Sequence, residues 1–156
     1  MRFEVHRGQT PPAVDLLALV VVGQVAPVAD VAPLRVEAHG KAERGAEFDD
    51  VEATLTFATG QACLRASRIA PARKRTLSAA YPSGEVEIDF LDRKLVKNTT
   101  PFALDPNFAD KVPDPLGRGV EEFLEAVAQG KTSAIPAESG AAAVALAEAI
   151  DKACAA

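Results

Sequence analysis

Residues 47–90 read EFDDVEATLTFATGQACLRASRIAPARKRTLSAAYPSGEVEIDF, and the way this stretch divides decides the fold. Apolar and polar residues partly alternate through DVEATLTFATG, QACLRASRI, KRTLSAAY and EVEIDFLDRKL, the last running on to Leu95, and Gly, Pro or Asp punctuates each run. A period of two places successive side chains on opposite faces of a strand. Val51, Ala53, Leu55 and Phe57 are therefore predicted on one face, and Glu52, Thr54 and Thr56 on the other. Thr59-Gly60 and Pro82-Ser83-Gly84 have the chemistry of tight turns, so consecutive strands are expected to pair antiparallel as a meander. Adding APLRVEAHG (residues 32–40) upstream gives a sheet of about five strands, and RFEVHR (residues 2–7) alternates as a further short strand before the break at Gly8 to Pro12.

Helical periodicity appears on either side of this block. Ala13 to Val22 begins with Asp15, continues in leucines and valines, and stops at Gly23, the pattern of a short buried helix with an acidic first turn. Residues 97–113 show neither period, carry three prolines and are predicted as loop. DPLGRGVEEFLEAVAQGK then offers Asp114 as N-cap, Pro115 at the first helical position, Val120, Phe123, Leu124 and Val127 at helical spacing, and Gly130 as the stop. The alanine-rich AESGAAAVALAEAIDKACAA predicts a terminal helix lying on the sheet, with Val144, Leu146, Ala147 and Ile150 along one side.

Strands in one block with flanking helices predict an α+β fold: an open, mainly antiparallel sheet with helices packed on one face, forming one domain over residues 1–156. The uncovered face is expected to be rich in Thr, Ala and Ser and to meet a second copy, giving a homodimer. With 156 residues, 25% charged, and a net charge of −5, a protein that coats phosphates is not expected, so no nucleic-acid partner is predicted. The longest apolar run, Leu16–Val22, has seven residues, where a bilayer span needs about 20. Cys63 and Cys154 lie far apart, without metal-type spacing to His6 or His39; both are read as ordinary residues of a protein in a reducing, cytoplasmic setting that does not engage a membrane. Asp49-Asp50, just before a strand, reads as a turn and cap feature rather than a cation site.

Five cations, Arg65, Arg68, Arg73, Lys74 and Arg75, fall between Leu64 and Thr76. Arg65, Arg68, Arg73 and Arg75 are candidate ligands for a substrate or another anion such as a nucleotide-sugar phosphate, which guanidinium groups hold bidentately. The competing assignment is a solvated hairpin end, with Arg65 and Arg68 paired to acids such as Asp89 or Glu87. Alternation separates Arg65 from Arg68, so the hairpin is the more economical assignment and Arg68 the cation to test.

The same stretch resembles the C-terminal domain of the Gfo/Idh/MocA oxidoreductases, the glucose-fructose oxidoreductase and inositol dehydrogenase family. It is similar to the family's strand ending in F-x-x-G, its second strand ending in A-S-R, and a third leading into G-x-[IV]-x-[IV]-D-[FL]; PDPLGRGVEEFLEAVAQGK and IPAESGAAAVALAEAI resemble its closing helices, and Glu4-Val5-His6-Arg7 resembles the opening strand of a bacterial subgroup. The resemblance implies a large sheet that supplies substrate contacts and the oligomer interface, with NAD or NADP bound by a separate N-terminal Rossmann domain. No Gly-x-Gly-x-x-Gly is present, Gly117 and Gly119 coming nearest, and the family's Glu-Lys-Pro lysine motif is absent. Asp15 matches an acid beside the family's catalytic histidine, but Pro12 stands where that histidine would be. The resemblance therefore implies a non-catalytic or truncated sheet domain, without a cofactor site of its own, that acts in oligomerisation and ligand binding. In the alternative, the chain is the substrate-binding and oligomerisation part of an NAD(P)-dependent sugar or nucleotide-sugar dehydrogenase whose Rossmann domain is a separate partner.

Overall fold

A computed structural model describes residues 2–6, 32–58, 60–111, 113–133 and 135–155, the first of these segments as backbone. Among these residues the strands are β1 (Arg2–His6), β2 (Arg35–Lys41), β3 (Asp50–Phe57), β4 (Gly60–Ser67), β5 (Lys74–Tyr81), β6 (Gly84–Asp89) and β7 (Lys94–Asn98), and the helices α1 (Phe108–Lys111), α2 (Pro115–Ala128) and α3 (Ala137–Cys154). The predicted helix over Ala13–Val22 lies outside the described residues.

All seven strands form one sheet in the order β2-β3-β4-β1-β5-β6-β7. Two antiparallel meanders, β2-β3-β4 and β5-β6-β7, are joined by β1, which runs parallel to β4 and antiparallel to β5. The α+β fold with an open, mainly antiparallel sheet is thus observed. The meander, however, is interrupted at one point. β4 and β5 do not pair, so residues 68–73 are not a hairpin turn; they cross the end of β1, where His6 is in register with both Ser67 and Lys74.

Seven strands replace the expected five because EVEIDFLDRKL is two strands folded back on each other. Asp89 Oδ1 accepts from the backbone N–H groups of Leu91 (2.8 Å) and Asp92 (3.1 Å), an Asx-type turn, and Arg93 follows at φ 53°. From that turn Arg93 donates through Nη2 to the carbonyl of Ala109 (2.9 Å) and through Nη1 to that of Pro113 (3.2 Å). The loop predicted from residue 97 accordingly gives way to β7 as far as Asn98 and to the short α1.

Alternation along the strands builds the core. Val51, Ala53 and Leu55 of β3, Leu64 and Ala66 of β4 and Ala38 of β2 are buried against Ala143, Ala147 and Ile150 of α3. Alanine at two of the three helical positions lets the α3 backbone come close to the sheet. Ile150 is fully buried, which stabilises the fold by about 1.5–3 kcal/mol. Val144 faces solvent, so the buried stripe of α3 is centred nearer Ala143 than its spacing implied. Gly40 admits the Phe48 ring to a place that a Cβ would occupy.

Gly84 closes the β5–β6 hairpin at φ 138°, and a Cβ there would stand 2.5 Å from the Thr99 carbonyl oxygen. Gly84→Ala is expected to lower stability by about 1–3 kcal/mol, read from the urea midpoint at unchanged m-value.

Candidate functional site

The cations and acids singled out by the sequence meet at the end of β4. Arg68 leaves the strand with its backbone N–H on the Asp49 carbonyl (2.9 Å), and its Nε donates to Asp49 Oδ1. Its Nη1 lies 3.9 Å from Glu47. Asp49 is fully buried, and its Oδ2 accepts from the backbone N–H groups of Glu43 (2.6 Å) and Arg44 (2.8 Å). Three donors on one buried carboxylate stabilise its charged form. The Glu43 N–H is the largest influence, burial opposes it, and Arg44 and Arg68 add to it, so the Asp49 pKa falls to about 2. This knot ties residues 43–49 to the β4 end. Asp49 is thus the turn residue expected, and the partner of Arg68 is Asp49 rather than Asp89 or Glu87.

Arg65 lies one pleat earlier, on the face away from α3. Its Nη2 is 3.3 Å from Asp50 Oδ2, again an acid other than the two expected, while Asp50 Oδ1 is buried without a hydrogen-bond partner among the described residues. Arg73 is exposed in the crossing segment, and Arg75 is exposed on β5, in register with Val5 and therefore on the α3 side of the sheet. The four arginines do not converge: two are held by acids at the β4 end, and the other two project elsewhere. Asp15 lies outside the described residues.

The face away from α3 carries more charge than expected. One row in register runs His39, Glu52, Arg65, Glu4, Thr76, Asp89 and Lys94, and the next runs Glu37, Thr54, Cys63, Arg2, Ser78, Glu87 and Lys97. Opposite charges alternate along both rows, so the face is a mosaic of signs and not the Thr, Ala and Ser surface that β3 alone suggested. A shallow depression of about 290 Å³ opens on it between Cys63, Ser78, Ala80, Glu85, Glu87 and Lys97. Lys97 Nζ bonds Glu85 Oε2 at 2.6 Å, which raises the lysine pKa and lowers that of the carboxyl.

Among the described residues no three His, Cys, Asp or Glu side chains are grouped to hold a metal, and no helix is long and apolar enough to cross a membrane. Gly117 and Gly119 lie in the first turns of α2, where the Gly117 N–H caps onto Asp114 Oδ1 (2.9 Å). What the arrangement offers chemically is a charged sheet face with a shallow recess and a rigid knot at its end.

This is the fold of the C-terminal domain of Gfo/Idh/MocA-type dehydrogenases. UDP-N-acetylglucosamine 3-dehydrogenase GnnA from Acidithiobacillus ferrooxidans superposes with a TM-score of 0.75 at 21% identity, over 97% of this chain and 52% of its own. The WlbA dehydrogenase from Bordetella pertussis, solved with NADH and UDP-GlcNAcA, gives 0.70 at 12% identity over 99% and 54%. Levoglucosan dehydrogenase, solved with NADH, gives 0.67 at 14% over 99% and 55%. The chain thus spans about half the length of the solved structures it matches. No protein-family model and no curated protein matches the sequence.

Proposed function

We propose that this chain works as the sheet domain of a dehydrogenase-type assembly, contributing association and ligand-contact surface and no hydride transfer of its own. The observation that carries this is the coverage: nearly the whole chain superposes on a dehydrogenase, yet on only 52% of that dehydrogenase's length. Of the four arginines, Arg73 and Arg75 keep the greatest exposure for an anionic ligand, while Arg68 is committed to Asp49. The mosaic face supports pairing with a second copy, because alternating signs can be matched across a two-fold axis. In the alternative, the chain forms the substrate side of a working NAD(P)-dependent sugar or nucleotide-sugar dehydrogenase whose coenzyme half is a separate body.

Calorimetric titration with NADH and NADPH, together with light scattering, tests the proposal. The expected result is no heat and a mass of twice 16.3 kDa, reverting toward the monomer as salt screens the charged face. Saturable heat from the chain alone, or a monomer at every concentration in low salt, refutes it.

A further inference from the structure

α2 is anchored but covers nothing. Its N-terminal end is held by the Asp114 cap and by Arg93 on Pro113, yet no residue between Pro115 and Ala128 is buried. Leu116, Val120, Phe123, Leu124 and Val127 form an apolar stripe at helical spacing, and they are 79%, 52%, 54%, 58% and 62% exposed. A helix of 14 residues is marginal in water without tertiary contact, and contiguous apolar surface of this kind marks an interaction site.

Resting on the alternative just given, we propose that this stripe is the docking face for a separate folded domain standing where the uncovered half of the similar dehydrogenases' chains stands. The first argument is length: those chains carry nearly as much again beyond the part matched. The second is area. From Leu116 to Val127 the stripe is about 17 Å long and one helix wide, far less than the roughly 800 Å² per partner that an independent dimer buries, but suited to one part of a contact between domains otherwise held together. The third is charge: a second copy brings the same net −5 and the same Glu121, Glu122 and Glu125 against Arg118 on α2, so like charges would oppose a dimer at this helix.

The test fuses the half of the Acidithiobacillus ferrooxidans dehydrogenase outside the match to the start of the full chain and follows hydrogen exchange. The α2 amides are expected to exchange at least roughly tenfold more slowly in the fusion than in the chain alone. Val120→Asp and Phe123→Asp change exposed positions, should leave the melting of the chain alone unaltered, and should abolish the slowing. Unchanged α2 exchange in the fusion, slowing that survives both substitutions, or self-association of the chain alone that both abolish would overturn the proposal. NADH binding by the fusion is measured separately: binding with unprotected α2 refutes the docking face and spares the dehydrogenase alternative, whereas protection without NADH binding supports the docking face and counts against that alternative.

Discussion

Glu4→Pro is expected to separate the sheet into its two halves. Glu4 is the midpoint of β1, in register with Arg65 on one side and Thr76 on the other. Proline has no N–H, and in a strand flanked on both sides the lost donor leaves a ladder bond unmade whichever neighbour it served. The cost is about 3 kcal/mol or more. It falls on the strand that alone connects β2-β3-β4, whose residues form the core with α3, to β5-β6-β7. The second meander keeps Leu77 and Phe90 partly buried against that core, too little to hold three strands once their neighbour is displaced. Hydrogen exchange should show β5 to β7 losing protection before β3 and β4, and the thermal transition should broaden. Glu4→Ala retains the N–H and should behave as wild type; an equal loss in both variants would trace the effect to the side chain and refute the backbone argument.

Arg68→Ala is expected to lower Tm by roughly 10 °C, because removing one partner strands a buried charge. Arg68 is 20% exposed and the Asp49 side chain 0%, so water cannot readily replace the guanidinium. Arg68→Lys, which keeps the charge and loses the planar fork, should fall between. Acid should act on the same carboxylate. Its folded pKa of about 2 lies below the ordinary value of about 3.9, so on acidification the unfolded chain takes up its proton first. The stabilisation is complete above about pH 5 and is lost as pH falls toward 2. Urea midpoints at pH 6 and pH 3 should differ less for Asp49→Asn than for wild type. A variant with the wild-type acid sensitivity would place the titrating group elsewhere.

The elements with local chemistry were legible from the residues. KRTLSAAY is β5 residue for residue, and α2 starts at Pro115 behind Asp114 as its cap predicts. What failed was whatever depends on another part of the chain. The β6–β7 turn carries neither Gly nor Pro; Asp89 and the positive φ of Arg93 make it, and alternation runs through it unbroken. Nothing near β4 or β5 announces that β1 lies between them, so residues 68–73 looked like a hairpin. Arg68 and Asp49 were each noticed, but their pairing follows from the β3–β4 register, which sets Asp50 opposite Ser67. The charge of the open face was missed for the same reason, since its rows draw one residue from each of seven strands.

The place of β1 has a consequence for how the protein is made. The first strand to leave the ribosome is destined for the middle of the sheet, and its partners begin only at Gly60 and Lys74. At ordinary rates of synthesis it waits on the order of seconds with both hydrogen-bonding edges open. During that interval β2 and β3 can already form a hairpin, while β1 can close the sheet only by reaching across a long stretch of chain. A neighbouring nascent copy offers the same vacant slot, so crowded translation should favour exchange of first strands between molecules, and slower initiation should favour self-completion.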